Sequence, residues 1–161
     1  MADHDRVGTF LDQWRRERPD LDPSPMGVIG RMRRISDDFT AVLVDNYRRF
    51  GLGEGEFDVL CALRRAGAPF VLTQADIAEH TMVTAGATSK RVDRLESTGL
   101  VTRHHSAEDG RARTVELSDA GRRLIDTAYP EHLAVEEGLL SPLDPDERAH
   151  LERLLRKLVR D

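Results

Sequence analysis

Apolar residues recur at the spacing of an α-helix along most of this chain. Residues 4–18 predict a first helix, because one apolar stripe runs through Val7, Phe10, Leu11 and Trp14. Prolines 19, 23 and 25 then predict a short extended linker. The same periodicity predicts five more helices. They run from about Met26 to Phe50, over Glu54–Ala66, and from the residues after Thr73, Ser118 and Asp144. Pro130 should kink or split the one that follows Ser118.

In the segment 73–118 the spacing of apolar residues changes from that of a helix to that of a strand. Residues 73–80 and 84–98 predict two helices joined by a short turn, and Gly99 should stop the second. Residues 99–103 and 111–117 then predict a hairpin, in which Val115 and Leu117 share one face. Gly110 permits a tight turn at the charged tip. A helix-turn-helix followed by a two-stranded wing is a shape that enters DNA grooves.

The second helix of this pair has two distinct faces. At about 100° per residue, four side chains form a packing face: Ala85, Thr88, Val92 and Leu95. Small residues begin the opposite face, and two cations that can reach bases or phosphates follow them. The predicted DNA contacts, including two arginines at the hairpin tip, are Thr84, Gly86, Ala87, Lys90, Arg94, Arg111 and Arg113. A solvated helix face and an ordinary charged turn are the alternatives.

Charge changes this picture only locally. The chain has 161 residues, a third of them charged, and a formal net charge of −5, which argues weakly against nucleic acid as a partner. The winged segment nevertheless concentrates cations at Lys90, Arg91, Arg94, Arg103, Arg111 and Arg113. We therefore expect a small basic stripe on a mildly acidic body and salt-sensitive binding to double-stranded DNA.

The expected fold class is mainly α with a small β-wing. Residues 51–118 form the predicted winged helix-turn-helix, and residues 1–25 an N-terminal helix and linker. Residues 26–50 and 119–161 are the predicted dimerisation helices. These terminal helices carry more apolar surface than the winged core can cover, so a symmetric homodimer is the simplest arrangement.

Several other functions leave no motif in the chain. It has no Gly-rich phosphate loop, nucleophile elbow or paired acid–base motif, which argues against an enzyme, and we expect no cofactor. No apolar run is long enough for a membrane span and no signal peptide is recognisable, so we expect a cytoplasmic protein. The histidine spacings match no metal motif: His80, His104, His105, His132 and His150. A winged helix used only for protein–protein contact is the alternative of another class.

Several motifs resemble the MarR family of bacterial winged-helix regulators. They lie at residues 55–60, 72–73, 91–96, 99–101, 109–111 and 115–121, and the resemblance spans about residues 26–160. It implies a homodimer held by the terminal helices, which reads a DNA palindrome with two recognition helices and two wings. It also implies that a small molecule releases the DNA.

The N-terminal motifs, Gln13–Asp20 and Ser24–Gly30, resemble the PecS-like, urate-responsive branch of that family. The resemblance implies a ligand site for a small anion such as urate or a related purine. By motif matching, the site residues are Trp14, Asp58, Arg65 and Arg91.

The residues themselves also indicate a charged depression. Asp58 and Arg65 are two helical turns apart, so they share a helix edge, with the small side chain of Cys61 between them. Arg91 lies near the border of the packing face and can reach back to the body. A structural Asp58–Arg65 ion pair is the alternative. Cys61, the only cysteine, is either a redox sensor or a small packing residue.

Overall fold

The computed structural model describes residues 5–81, 85–105 and 113–159. Within these ranges the chain forms seven α-helices and one three-stranded antiparallel sheet. In chain order the elements are α1 (Arg6–Glu17), α2 (Ser24–Arg49), α3 (Glu54–Arg65), β1 (Val71–Thr73), α4 (Gln74–His80), α5 (Ala85–Ser97), β2 (Val101–His105), β3 (Arg113–Leu117), α6 (Asp119–Leu139) and α7 (Pro145–Arg156). This confirms the fold class predicted from the sequence.

The contacts divide the chain into two units, Met1–Val42 and Leu43–Asp161. The boundary falls inside α2, whereas the sequence placed its first boundary at residue 25. The division into an N-terminal segment, dimerisation helices and a DNA-binding domain stays a prediction.

In the first unit, α1 packs on the beginning of α2. Asp5 caps α1 by accepting the Gly8 N–H at 2.8 Å, and Arg31 of α2 donates to the same carboxylate. Val7 and Leu11 are buried, but Phe10 and Trp14 of the predicted apolar stripe remain 42% and 51% exposed. Only two of the four apolar residues of this stripe are therefore buried.

The core of the second unit lies between α3, α4, α5, α6 and the sheet. Its most buried side chains come from all of these elements: Val59, Leu60, Leu63, Ile77, Val92, Leu95, Val115 and Ile125. The end of α2 joins this core through Tyr47, whose ring stacks on Phe57 at 4.2 Å and whose hydroxyl lies 3.2 Å from His132 Nδ1. This aromatic contact ties α2, α3 and α6 together.

Two details differ from the sequence prediction. The sheet has a third strand, β1, which pairs with β3 on the side opposite β2. Pro130 does not split α6, which runs unbroken from Asp119 to Leu139. Proline removes one helical hydrogen bond. The helix is nevertheless held together by the burial of Ile125 and Ala128 before Pro130 and of most of the His132 side chain after it.

Close approach of α6 to the sheet depends on one glycine. Ser118 caps α6 by accepting the Gly121 N–H at 3.0 Å and also donates to Gly99 O at 2.7 Å. A Cβ atom at position 121 would overlap the carbonyl oxygen of Leu100. Gly121 thus lets α6 begin directly against the end of α5 and the start of β2.

Candidate functional site: the winged helix and its link to α3

The helix-turn-helix begins at a well-capped turn. The Thr73 hydroxyl accepts the Asp76 N–H at 3.1 Å, and the Asp76 carboxylate accepts the Thr73 N–H at the same distance. This reciprocal cap confirms the predicted start of α4. Ile77 is fully buried and anchors α4 on the core beside α5.

Helix α5 has the two faces that the sequence predicts. At most 1% of the surface of Thr88, Val92 and Leu95 is exposed. On the opposite side the side chains of four residues are exposed: Lys90, Asp93, Arg94 and Ser97. The packing of one face therefore fixes a polar outer surface that contains two of the predicted DNA contacts.

The other predicted DNA contacts are described less fully. Ala87 lies in α5 and is partly buried, and Gly86 belongs to the first turn of the same helix. Thr84 and Arg111 lie outside the described residues. Arg113 begins β3, where its backbone pairs with that of His105. The roles of all these residues in DNA binding stay predictions.

Strands β2 and β3 form the body of the predicted hairpin. Their register pairs Val101 with Leu117 and Arg103 with Val115. Val115 and Leu117 are buried, with 0% and 5% of their surface exposed, which confirms the predicted inner face. On the outer face His104 Nε2 lies 2.7 Å from the Glu116 carboxylate. The hairpin is thus anchored on the core next to α5.

Glu56 contacts Arg94 on the outer face of α5, which the sequence did not reveal. Its Oε1 pairs with Arg94 Nε at 2.9 Å, and its Oε2 accepts the Gly53 N–H at 2.7 Å. The glutamate is 11% exposed, whereas Arg94 remains 67% exposed. Glu56 at the third position after a helix-starting glycine is a recognisable capping signal, but its partner on α5 is a tertiary contact.

Arg91 turns inward from α5 toward α3, as its position near the packing face suggested. It lies so close over Gly55 that a Cβ atom there would overlap the guanidinium group. Its Nη1 is buried and has no hydrogen-bond partner among the described residues. A buried cationic nitrogen without an acceptor is costly, so this position favours an incoming anion or carbonyl oxygen.

Asp58 and Arg65 do not form the ion pair that was the alternative interpretation. Arg65 Nη2 instead donates to the His80 carbonyl oxygen at 3.3 Å. Burial raises the pKa of Asp58 and the Glu54 carboxylate raises it further, while Arg91, His132 and Arg65 act in the opposite direction. The charges are therefore near one another, but none of them neutralises Asp58 directly.

A cavity of about 400 Å³ opens between α3 and α6. Its lining is mostly apolar, with two arginines and one carboxylate: Cys61, Arg64, Arg65, Ile125, Asp126, Tyr129 and Pro130. Arg64 is already paired with Asp126 at 2.6 Å and stacks over Phe70, so Arg65 is the cation with the weaker internal contact. Asp58 and Arg91 lie outside this lining.

Trp14, the fourth predicted ligand residue, belongs to the first unit. There it lines a depression together with Arg18, Leu21, Asp22, Pro23, Pro25 and Met26. The structure therefore groups Asp58, Arg65 and Arg91 around α3, and the participation of Trp14 stays a prediction.

Cys61 faces the cavity but has the properties of a packing residue. It is partly buried, and burial raises the pKa of its thiol to about 12, with a further increase from Asp58. Thiolate is the form that reacts with peroxide and alkylating agents.

We expect native Cys61 to react slowly. At pH 7.5 its thiolate fraction should be more than about 1,000-fold below that of an exposed cysteine. Iodoacetamide alkylation followed by mass spectrometry measures this difference, and the chain unfolded in guanidinium is the control, because it contains the same single thiol. Native and unfolded rates within about tenfold of each other would restore the redox-sensor interpretation.

The described residues contain no group of three or more His, Cys, Asp or Glu side chains arranged to hold a metal ion. None of the helices in that part of the chain combines the length and apolarity needed to cross a bilayer.

Comparison with known proteins relates the chain to one family of transcriptional regulators. Residues 50–112 match the sequence model of the MarR family. The chain is 37% identical to the transcriptional regulator PecS of Dickeya dadantii over 155 residues, which cover 96% of this chain and 93% of that protein. Uncharacterised regulators from Bacillus cereus are 30% identical over 129 residues, 80% of this chain and 84% of theirs.

Solved structures share the fold. BpsR of Bordetella bronchiseptica, whose DNA binding is regulated by 6-hydroxynicotinic acid, has a TM-score of 0.74 and 26% identity, covering 82% of this chain and 98% of that one. A variant of MarR from E. coli in complex with operator DNA has a TM-score of 0.76 and 24% identity, covering 87% and 99%. With its two-faced α5, its hairpin and these relatives, the chain belongs to the MarR family of winged-helix transcriptional regulators, similar to its PecS-like branch, and is a DNA-binding protein rather than an enzyme.

Proposed function

We propose that this chain is a homodimeric repressor that binds a palindromic operator and that a small planar anion releases it from DNA. The observation that carries the proposal is the outer surface of α5, where Lys90 and Arg94 are exposed opposite a fully buried face. A helix held in this way presents cations to the major groove while the adjoining hairpin follows the backbone. A regulator of this kind acts in the cytoplasm, where the chromosome lies.

Exposed apolar surface supports the homodimer. No residue of α7 is buried, although its leucines at 151, 154 and 155 share one face. In the first unit, Val28, Ile29 and Ile35 of α2 are 49–63% exposed. Exposed apolar side chains that share a helix face mark interaction surfaces. A twofold axis between terminal helices would bury both sets and place two copies of α5 on one DNA face, which matches a palindrome.

The unpaired charges around α3 support an anionic ligand. Among the residues that the structure describes, Arg65 has only a long backbone contact and the buried Nη1 of Arg91 has no acceptor, while Asp58 is partly desolvated. A flat anion with several hydrogen-bonding atoms can satisfy such groups with bidentate arginine contacts. Urate or a related purine has this chemistry, and the regulation of BpsR by 6-hydroxynicotinic acid concerns a ligand of similar shape.

Arg91 provides the connection from ligand to DNA. Its backbone belongs to α5, and its side chain reaches α3 at Gly55. A ligand that draws the guanidinium into a new contact changes the position of α5 only if it binds one arrangement more tightly than the other. Trp14 is proposed as the ring that stacks on the ligand. Because it is the only tryptophan, its fluorescence should report ligand binding directly.

Arg65→Gln is expected to separate ligand response from DNA binding. An operator is first selected from random duplexes with the wild-type protein, and inverted half-sites are expected. Urate titration of that complex should then release the wild type, whereas the variant should need at least about 30-fold more urate, because a bidentate cationic contact is lost. Affinity for the operator should stay within about twofold, since Arg65 is not on the α5 surface.

Arg48→Gln is the matched control. Arg48 is an exposed arginine of α2 whose only ion-pair partner in the described part of the chain is Asp45, one turn away, so the control variant should release DNA like the wild type. An Arg65→Gln variant with an unchanged urate response would contradict the ligand site. If urate fails to release the wild type, a thermal-shift screen of purines and aromatic carboxylates decides whether another anion takes its place.

A further inference from the structure

Arg103 is a cation of the winged segment that turns away from solvent. It lies in the middle of β2, and its side chain is only 17% exposed. Its Nη2 lies 2.5 Å from the Asp93 carboxylate and donates to the Ser89 carbonyl oxygen at 3.1 Å. Its Nε lies 3.7 Å from Glu96 Oε2, and its backbone N–H donates to Glu96 Oε1 at 3.3 Å. One strand residue therefore holds three positions of α5.

These contacts leave little of Arg103 for DNA. A guanidinium that reached a phosphate would have to abandon Asp93 and Ser89, and Asp93 and Glu96 would lose their only ion-pair partner among the described residues. Asp93 is exposed between Lys90 and Arg94 on the outer face of α5, and Glu96 is exposed close by. Uncompensated carboxylates at this place would repel the DNA backbone.

The same contacts fix geometry. Ser89, Asp93 and Glu96 span two turns of α5. Arg103 reaches Ser89 and Asp93 with Nη2 and Glu96 with its backbone N–H, so one strand residue sets both the rotation of the helix and its distance from β2. Arginine can reach several acceptors at once because its donors are rigidly arranged, whereas a lysine ammonium is a point charge on a flexible stem. Helix and hairpin must hold one relative orientation to occupy neighbouring grooves together.

We propose that Arg103 is a positioning residue for DNA recognition. It neutralises Asp93 and Glu96 and locks the hairpin to the recognition helix, without contacting DNA itself. The inference rests on the DNA-binding mode proposed above for α5 and the hairpin. It removes Arg103 from the basic stripe that the sequence suggested.

Three variants separate charge from geometry. Arg103→Met removes the cation, Arg103→Lys keeps the charge but not the fork, and Arg103→Met/Asp93→Asn/Glu96→Gln removes the cation together with both carboxylates. Each is measured as the full-length protein against two duplexes of equal length, the selected operator and a mixed sequence. Binding is followed over a range of salt concentrations, and thermal midpoints establish that each variant is folded.

The expected pattern differs between the two duplexes. Arg103→Met should bind both more weakly, the mixed sequence by about threefold and the operator by about 30-fold, because repulsion and loss of register add on the operator only. The triple variant should recover wild-type affinity for the mixed sequence but keep a reduced operator preference. Arg103→Lys should show the same reduced preference with unchanged mixed-sequence affinity. The salt dependence of Arg103→Met should keep the wild-type slope.

A different pattern would overturn the assignment. If Arg103 contacts a phosphate, the slope of log affinity against log salt falls by about one unit in Arg103→Met, and removing the carboxylates brings no relief. Equal operator preference in Arg103→Lys and the wild type would also contradict the fork. If Arg103→Met does not fold, Arg103→Lys alone decides. A wild-type protein that ignores every duplex would refute the proposed DNA-binding mode instead.

Discussion

Lys90→Glu is expected to lower operator affinity by about 100-fold at physiological salt. Lys90 is exposed at the centre of the outer face of α5, one turn away from Arg94. Reversal removes one favourable contact with bases or phosphates and introduces a carboxylate beside the DNA, each worth about 1–2 kcal/mol. The side chain is remote from the buried face formed by Thr88, Val92 and Leu95, so the thermal midpoint should stay nearly constant.

Arg16→Glu is the matched control, because it makes the same change in net charge on an exposed position of α1. Fluorescence anisotropy with the selected operator measures both variants, and a mixed-sequence duplex is titrated in parallel. If Lys90→Glu binds the operator as tightly as Arg16→Glu does, α5 is not the recognition helix and the proposed DNA-binding mode fails.

Sequence periodicity was sufficient to predict the faces of α5, because that helix is short, regular and buried on one side only. The same holds for the C-terminal ends of α3 and α5: Gly67 and Gly99 have φ values of +78° and +72° at the two helix ends that the sequence assigned to them. Local signals of this kind depend on neighbouring residues alone, so a single sequence contains them.

The features that could not be predicted depend on partners distant in the chain. Strand β1 has only three residues, and it becomes a strand because Leu72 pairs with Val115 more than forty positions later. Glu56 gives a local capping signal, but nothing nearby in the sequence indicates its contact with Arg94. Arg103 was counted as part of a basic stripe for the same reason, since composition does not reveal which way a side chain turns.

The arrangement of charges also accounts for DNA binding by a chain with a net charge of −5. Two carboxylates of the winged segment and its neighbour α3 are held by internal cations, Glu56 by Arg94 and Asp93 by Arg103, and the Glu116 carboxylate lies 2.7 Å from His104 Nε2. Local pairing weakens their repulsion of phosphates, so the net charge of the whole protein is a poor guide to its DNA-binding surface.

Leu155→Glu is expected to dissociate the proposed homodimer and thereby abolish operator binding. Leu155 is 38% exposed on the apolar face of α7, beside Leu151 and Leu154. A twofold axis would present each substitution twice, so two carboxylates would be buried without partners at a cost of several kcal/mol. We expect the dimer dissociation constant to rise by at least about 1,000-fold, and sedimentation analysis at micromolar concentration should find monomers.

Loss of DNA binding follows from loss of the dimer, since a monomer reads one half-site and its operator affinity falls to that of a single recognition helix and wing. Ala149→Glu adds the same charge to an exposed position on the opposite face of α7, so that variant should remain dimeric and bind the operator like the wild type. A dimeric Leu155→Glu variant would show that α7 is not part of the interface. A monomeric variant that still binds the full operator with wild-type affinity would show that symmetry is not needed for recognition.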